Sequence, residues 1–432
     1  MNRNRNAIFT LMVLGAVSAV NAEIWTYGDC VEYARSHNIT LLKSRLSETT
    51  AGINLEESKA AWEPRLDLGI SQGFNTYPFL SGEKAGYTST YGLNAGWTVW
   101  DGGARRNTIK RDKLNVRISE LDTASQFRIL ETDLLQIYLN ILYAKESIEI
   151  CQDAVRLSEV QEERSRQLME AGRASRVDYA QLKSQCEQDK YALVNAQSTY
   201  SSRIMELKKL LELRLDSEIE PAPLDCNDSV LLADLPNISD SYQLAMSLDP
   251  QLRGLELAKQ VTDYDIEIAK SGKRPQVGMT GNIGSGYNTP GAFGTGLKNS
   301  LGANLVLSLN LPIADNKKTK SAVARARQQQ LDAELDIDLR KNDLSQEVEN
   351  WYITTRTSQA KYKAAIQQLE ATLQTNELTN AQFDLGLVNP VELMTAHNDL
   401  LEAQFSLIQA KYMALLGLKM IEYYRTATIS IP

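Results

Sequence analysis

Apolar residues between positions 127 and 155 keep one spacing. Phe127, Leu130, Leu134, Ile137, Ile141, Ala144, Ile148, Cys151 and Val155 follow one another at a first step of three, then at alternating four and three. A 3.5-residue period marks helices that supercoil on neighbours. No proline interrupts 103–171, and Gly172 follows. The pattern predicts one long helix there, roughly 105 Å at the usual rise. The register returns 214 positions later, as Leu344 for Leu130 and then Val348, Trp351, Thr355, Ser358, Tyr362, Ala365 and Leu369. Thr355 and Ser358 soften this second seam. The same shift carries Asp101 to Asp315, Tyr138 to Tyr352 and Gly172 to Gly386. The chain is an internal repeat, two halves of one object.

A different period separates the helices. Leu66, Leu68 and Ile70 alternate with Asp67, Gly69 and Ser71; Gln72 interrupts the apolar set and Phe74 resumes it. Tyr87, Tyr91, Leu93, Ala95, Trp97 and Val99 then alternate with small or polar residues. The second half repeats this with Val277, Met279 and Ile283, and with Leu301 through Leu311 against Gly302, Asn304, Ser308 and Asn310. Period two with one polar face predicts half-exposed strands. A soluble hairpin explains the first alternation, and a membrane barrel facing lipid outward explains all of them.

The layout follows in order. Residues 1–22 read as a signal peptide, with Arg3 and Arg5, an apolar core and Val20-Asn21-Ala22 before Glu23. The first repeat spans 23–216: a helix over 30–61 closed by Pro64, a strand hairpin over 65–100 and a helical hairpin over 103–215. A proline-bearing linker covers 217–240. The second repeat spans 241–424: a helix to 271, strands over 276–312 with a Gly/Pro-rich loop at 284–296, and a helical hairpin over 317–424. A short tail covers 425–432. In each half the shorter helices stack end to end beside the long one. The result is a tall rod with strands at one end.

Composition narrows the class. The formal charge is -8, and it becomes more negative once Arg3 and Arg5 leave with the leader. An acidic chain of this kind makes nucleic acid a poor partner. No downstream run is long and apolar enough for a spanning helix. Cys30, Cys151, Cys186 and Cys226 lack metal-ligand spacing, and only His37 and His397 could join them. Cys151 and Cys186 fall at heights about 10 Å apart on the first helical hairpin, too far for a disulfide. A Cys30–Cys226 pair stays open. Carboxylate neighbours such as Glu162 and Glu163 belong on a solvated helix face, and no nucleotide-binding glycine motif opens a helix after a strand. Hence no enzyme is expected, and no catalytic residue, cofactor or metal.

Four strands cannot close a barrel, and an open edge in lipid leaves backbone groups unpaired. Copies must associate. Two reach the eight-strand minimum and three reach twelve; the residues do not choose. The rival reading is a structural periplasmic coiled-coil rod or adhesin stalk without a channel.

At Trp62-Glu63-Pro64-Arg65-Leu66, Trp97-Thr98-Val99-Trp100-Asp101-Gly102-Gly103, Leu307-Ser308-Leu309-Asn310-Leu311-Pro312-Ile313 and the turns opened by Gly172 and Gly386, the chain resembles the TolC-like outer-membrane efflux proteins. The resemblance covers nearly the whole mature chain. It implies a mixed α/β membrane protein, with a long α-helical coiled-coil barrel in the periplasm and a transmembrane β-barrel in the Gram-negative outer membrane. Each chain of a homotrimer would contribute four strands, and the linker would join an equatorial collar. The implied role is the exit channel of a tripartite efflux or type I secretion system. Its implied partners are a periplasmic adaptor and an inner-membrane pump or ABC-type transporter. Two departures stand at the second strand-to-helix exit: Ala314 where the family carries bulk, and Asn316-Lys317-Lys318 where it carries glycines.

Three sets of site residues result. Tyr87, Tyr91, Trp97 and Trp100 suit outer-membrane lipid and its interfaces. The resemblance places adaptor docking at the helix-hairpin turns, here Gly172, Arg173, Ser175 and Val177 with Gly386, Leu387, Asn389 and Val391. It also places a periplasmic gate just after the second turn. Its first acidic position falls on Glu392 and its second on Thr395, which is not acidic. Thr395 and Asp399 follow Glu392 at spacings that share a helix face. Asp178 is the counterpart of Glu392 in the first half. The plainer reading is that Glu392 is solvated on the outside of its helix.

Overall fold

The computed structural model describes residues 23–76, 85–224, 227–288 and 293–429. The leader, the first strand-hairpin tip, Asp225, part of the 284–296 loop and the end of the tail lie outside them. So does Cys226, and with it the possible Cys30–Cys226 pair.

The elements run β1 (Glu23–Trp25), α1 (Tyr27–His37), α2 (Ile39–Ala60), β2 (Arg65–Thr76), β3 (Ala85–Asp101), α3 (Ala104–Glu170) and α4 (Arg176–Leu210). Then come β4 (Ile219–Pro221), α5 (Asp228–Leu231), α6 (Ile238–Leu248), α7 (Pro250–Ser271), β5 (Gln276–Asn288), α8 (Phe293–Asn299), β6 (Gly302–Asn310), α9 (Lys318–Asp384) and α10 (Pro390–Thr426). The halves match in length: α3 and α9 have 67 residues each, α2 and α7 have 22, and α1 and α6 have 11.

Two corrections concern the helices before the strands. The helix expected over 30–61 is two, because Asn38 is extended and its side chain caps Leu41 N–H. The helix expected over 241–271 is also two. Asp249 is extended and caps Leu252 N–H, and Pro250, which has no N–H to give, opens α7. The apolar period runs across both breaks. The start of α6 also falls inside the stretch assigned to the linker. That linker is ordered in its first part: β4 pairs in parallel with β1. The loop expected over 284–296 is shorter, since β5 continues to Asn288 and α8 begins at Phe293.

The seam positions form the core. Leu130, Leu134, Ile141, Ala144 and Cys151 are buried, as are Leu344, Val348, Tyr362 and Ala365. Thr355, a soft position of the second seam, is fully buried because Gly417 of α10 lies against it. A Cβ at Gly417 would overlap the Thr355 side chain, so the pair sets how closely α9 and α10 approach. Tyr138 and Tyr352 brace the middle of the rod. The Tyr138 hydroxyl lies 2.8 Å from the Ala222 carbonyl and 3.2 Å from that of Trp25. The Tyr352 hydroxyl lies 2.9 Å from the Pro236 carbonyl.

The remaining strands form one antiparallel sheet, β2-β3-β5-β6. Asp101 accepts from Gly103 and Arg105 N–H at the start of α3, and Asp315 from Thr319 N–H at the start of α9. Gly102 and Gly103 have φ of 71° and 91° there; Asn316 and Lys317 have 48° and 65°. The junction therefore keeps its backbone shape in the second half without the glycines.

Candidate functional site

Three places carry the sequence-derived candidates: the sheet, the helical tips and the first turns of α4 and α10.

Cross-strand partners share a face of the sheet. Leu68 pairs with Leu93, Leu93 with Ile283 and Ile283 with Ala303; Met279 pairs with Trp97 and Leu307. This face is apolar, and among the described residues nothing covers it: Phe74 is 75% exposed and Leu305 73%. Asp67, Asn94, Asn282 and Asn304 are mutual partners across the other face, which is otherwise Gly, Ser and Thr rich. Trp100 should fall on that polar face by alternation. A bulge between Thr98 and Trp100 pairs Trp100 with Val277, returning it to the side of Trp97. Polar atoms bound the apolar band at both ends. Trp97 Nε1 donates to the Trp62 carbonyl at 2.9 Å near the helices. Toward the strand tips, the Tyr87 hydroxyl donates to Gln72, whose amide donates to the Tyr91 hydroxyl. From Tyr91 to Trp100 the strand tilted as in a barrel spans about 25 Å, the height of a lipid-facing band.

The two helical turns are the same motif. Gly172 N–H bonds the Met169 carbonyl and Arg173 N–H that of Leu168; Gly386 and Leu387 repeat this on Phe383 and Gln382. That is a Schellman C-cap. Gly172 and Gly386 have φ of 72° and 73°, and a Cβ on either would meet nothing, so backbone conformation alone selects glycine. Arg173, Ser175, Val177, Leu387, Asn389 and Val391 are all exposed.

Each return helix opens with a cap. Ser175 Oγ accepts from Asp178 N–H at 3.1 Å, while the Asp178 carboxylate accepts from Ser175 N–H at 3.0 Å. Asn389 Oδ1 accepts from Glu392 N–H at 3.0 Å, and Asn389 Nδ2 donates to Glu392 Oε1 at 2.8 Å. Both candidate gate carboxylates are therefore third residues of capped helices. Each carboxylate commits one oxygen to its cap: Asp178 accepts from the Ser175 backbone, and Glu392 from the Asn389 side chain. Glu392, Thr395 and Asp399 are exposed together, opposite the buried stripe of Leu393, Ala396, His397 and Leu400. The structure does not bring Asp178 and Glu392 into one hydrogen-bonded group.

A buried polar seam between the two hairpins is absent from the sequence reading. His397 Nε2 lies 3.0 Å from Asp189 Oδ2, and Gln185 Nε2 bonds Asp189 Oδ1 at 2.9 Å and Asn398 Oδ1 at 3.2 Å. Gln161 donates to Asn380 at 2.8 Å, tying α3 to α9. His397 falls on the apolar stripe of α10, the one signal that could have found it. Among the described residues no group of His, Cys, Asp and Glu could hold a metal, and no helix is long and apolar enough to cross a membrane.

Known proteins share this arrangement. The model of the family described as outer membrane efflux protein matches residues 31–212 and 241–416, one block per repeat. The chain is 23% identical to the outer membrane protein TolC of Escherichia coli over 402 residues, covering 88% of this chain and 78% of that one. It is 19% identical to the outer membrane efflux protein BepC of Brucella suis, covering 88% and 80%. It is 21% identical to the alkaline protease secretion protein AprF of Pseudomonas aeruginosa, a match spanning 69% of this chain and 62% of the relative. Among solved structures, CusC superposes with a TM-score of 0.79 at 16% identity, over 92% of this chain and 91% of that one. The Campylobacter jejuni CmeC outer membrane channel gives 0.78 at 17%, over 99% and 94%. Matched along both repeats by the family model and alike in fold to these channels, this chain belongs to the outer membrane efflux protein family.

Proposed function

We propose that the chain is the outer-membrane exit channel of a tripartite efflux or type I secretion system. One observation carries the reading: a four-stranded sheet with an uncovered apolar face, a polar opposite face and two unpaired edges stands on helical hairpins about 100 Å long. Lipid suits the first face and a water-filled lumen the second. Three copies would supply twelve strands and a helical tunnel. The repeats over 23–216 and 241–424 act as two similar staves of that tunnel, with the linker over 217–240 in a collar. The chain performs no catalysis, so the energy of transport comes from an inner-membrane pump or ABC-type transporter.

The tips suit adaptor docking, because two rigid, identical caps present Val177, Leu387 and Val391 to solvent. Glu392 is the better gate residue, since it follows the second turn, where the family resemblance sets the gate, and is exposed on one face with Thr395 and Asp399. Tyr87, Tyr91, Trp97 and Trp100 border or face the lipid.

Spin labels test the placement. Labels at Leu93 and Leu305 report lipid, and labels at Asn94 and Asn304 report water. Equal water exposure at all four sinks the channel reading and leaves a soluble rod.

A further inference from the structure

The junction of sheet and helix in the second half is strongly basic. Between 315 and 331 the cations Lys317, Lys318, Lys320, Arg325 and Arg327 stand against one carboxylate, Asp315, in a chain whose formal charge is -8. The end of α7 adds Lys273. It is brought alongside because Gly272 packs on Thr319, where a Cβ would come within 3.1 Å of Oγ1. Hydrogen bonding by Thr319 first, and the Lys273 charge after it, favour the charged form of Asp315. Lys273, Lys317, Lys318 and Lys320 are exposed, and among the described residues none forms an ion pair.

Two features make this placement costly within the chain. The first turn of α9 has no acidic residue, so its lysines face the positive end of the helix dipole. Lys317 also holds φ at 65°, where Gly103 serves in the first half. A lysine Cβ crowds the following carbonyl there and a glycine does not. Backbone geometry alone would select glycine; what lysine adds is charge.

The surroundings identify the counter-charge. Leu309 pairs with Val277, which pairs with Trp100, so the cluster sits just past the aromatic end of the apolar band. Leu311 and Ile313 lie between band and lysines, and Ile313 is 95% exposed. Exposed aliphatic side chains followed at once by unpaired cations match acyl chain followed by phosphate.

We propose that Lys273, Lys317, Lys318 and Lys320 form a docking surface for anionic phospholipid headgroups in the membrane leaflet that faces the helices. The surface rests on the sheet lying in the membrane, and it extends that reading by naming a lipid partner.

The test uses the full-length purified assembly in nanodiscs containing equal phosphatidylglycerol and phosphatidylcholine. Mass spectrometry reads the ratio of the two lipids retained by the protein after partial delipidation. The wild type retains phosphatidylglycerol preferentially. Lys317→Gln/Lys318→Gln/Lys320→Gln loses that preference about tenfold, within the range set by three interfacial charges. Lys317→Gly with the other two changes loses it equally while relieving the backbone, which separates charge from folding. Lys183→Gln/Lys361→Gln/Lys363→Gln, remote from the sheet, behaves as wild type. Unchanged retention in both junction variants overturns the proposal. Displacement of phosphatidylglycerol by millimolar soluble glycerol phosphate also overturns it, because the site is then a phosphate pocket. Spin labels at Leu93 and Leu305 in the same discs tell the two failures apart: labels in water remove the membrane placement itself, and labels in lipid confine the failure to the lysines.

Discussion

His397 Nε2 meets Asp189 Oδ2 at 3.0 Å, with both side chains almost fully buried between α4 and α10. The pair joins the two helical hairpins toward their free ends. Removing one partner of a buried hydrogen bond leaves the other short of a bond, at about 1–3 kcal/mol. His397→Ala should therefore lower the unfolding free energy of the helical rod by about that much, with Gln185 still bonded to Asp189. His397→Leu/Asp189→Leu should recover a large part of it, because both polar partners leave together. Urea unfolding followed by circular dichroism measures the cycle, and equal loss in single and double variants would show that packing, not the hydrogen bond, is what the site needs.

Tyr138 and Tyr352 act at equivalent places in the two repeats, each reaching a carbonyl of the chain that wraps the middle of the rod. Removing either hydroxyl leaves partly buried acceptors short of a donor, at about 0.5–1.5 kcal/mol. Tyr138→Phe and Tyr352→Phe should cost similar amounts and add in the double variant, since they serve separate halves. Hydrogen exchange should rise around Trp25 and Ala222 in the first and around Asn237 in the second. Exchange that rises in both places for either variant would contradict that separation.

Glu392 and Asp178 should part company in function. Glu392→Gln keeps an oxygen for Asn389 and loses the charge; in planar bilayers it should weaken block by multivalent cations and lower cation preference. Asp178→Ala removes half a capping box, costing about 1 kcal/mol of local stability, with little change in selectivity. Glu163→Gln serves as a control, because the Glu163 carboxylate is committed to Arg166 on its own helix, which holds its pKa below the usual range. Unchanged block and selectivity in Glu392→Gln, with normal assembly, would remove the residue from the neck.

The thiols should be inert in the folded protein. Burial pushes the Cys30 thiol up to about 12 and raises those of Cys151 and Cys186. A raised pKa lowers the fraction of thiolate, the reactive form, at any pH below it. In a Cys226→Ser background, maleimide at pH 8 should label none of the three within minutes, and all three after denaturation. Rapid native labelling of Cys30 would show that the α1 end of the core opens on that timescale.

The long helices, their repeat and the strand faces were legible because each repeats one spacing many times. Leu130 through Cys151 marks a buried stripe several times over, and a single break cannot hide it. Features set by one residue were not read. Asn38 and Asp249 each stop a helix inside an unbroken apolar period, although Asp249-Pro250 carries a start signal. The bulge at Val99 moves Trp100 across the sheet, and alternation alone assigns it to the wrong side. Ser175 with Asp178 and Asn389 with Glu392 have capping spacing, so the local role of both acids was available in the sequence. The His397–Asp189 contact was not, since it depends on the register between α4 and α10, which no local pattern encodes.

Among the described residues, β2 and β6 each leave one edge without a partner. Their open N–H and C=O groups will pair with any extended strand within reach, so the sheet of a lone chain is a hazard until it meets its own kind. The helical hairpins have no such need, since α3 with α4 and α9 with α10 bury their seams within one polypeptide. Helices can therefore mature in water while the strands wait. In the proposed channel, barrel closure would be an encounter between chains, its speed set by their concentration. Overproduction without membrane to receive the strands should yield aggregates whose helices are already native.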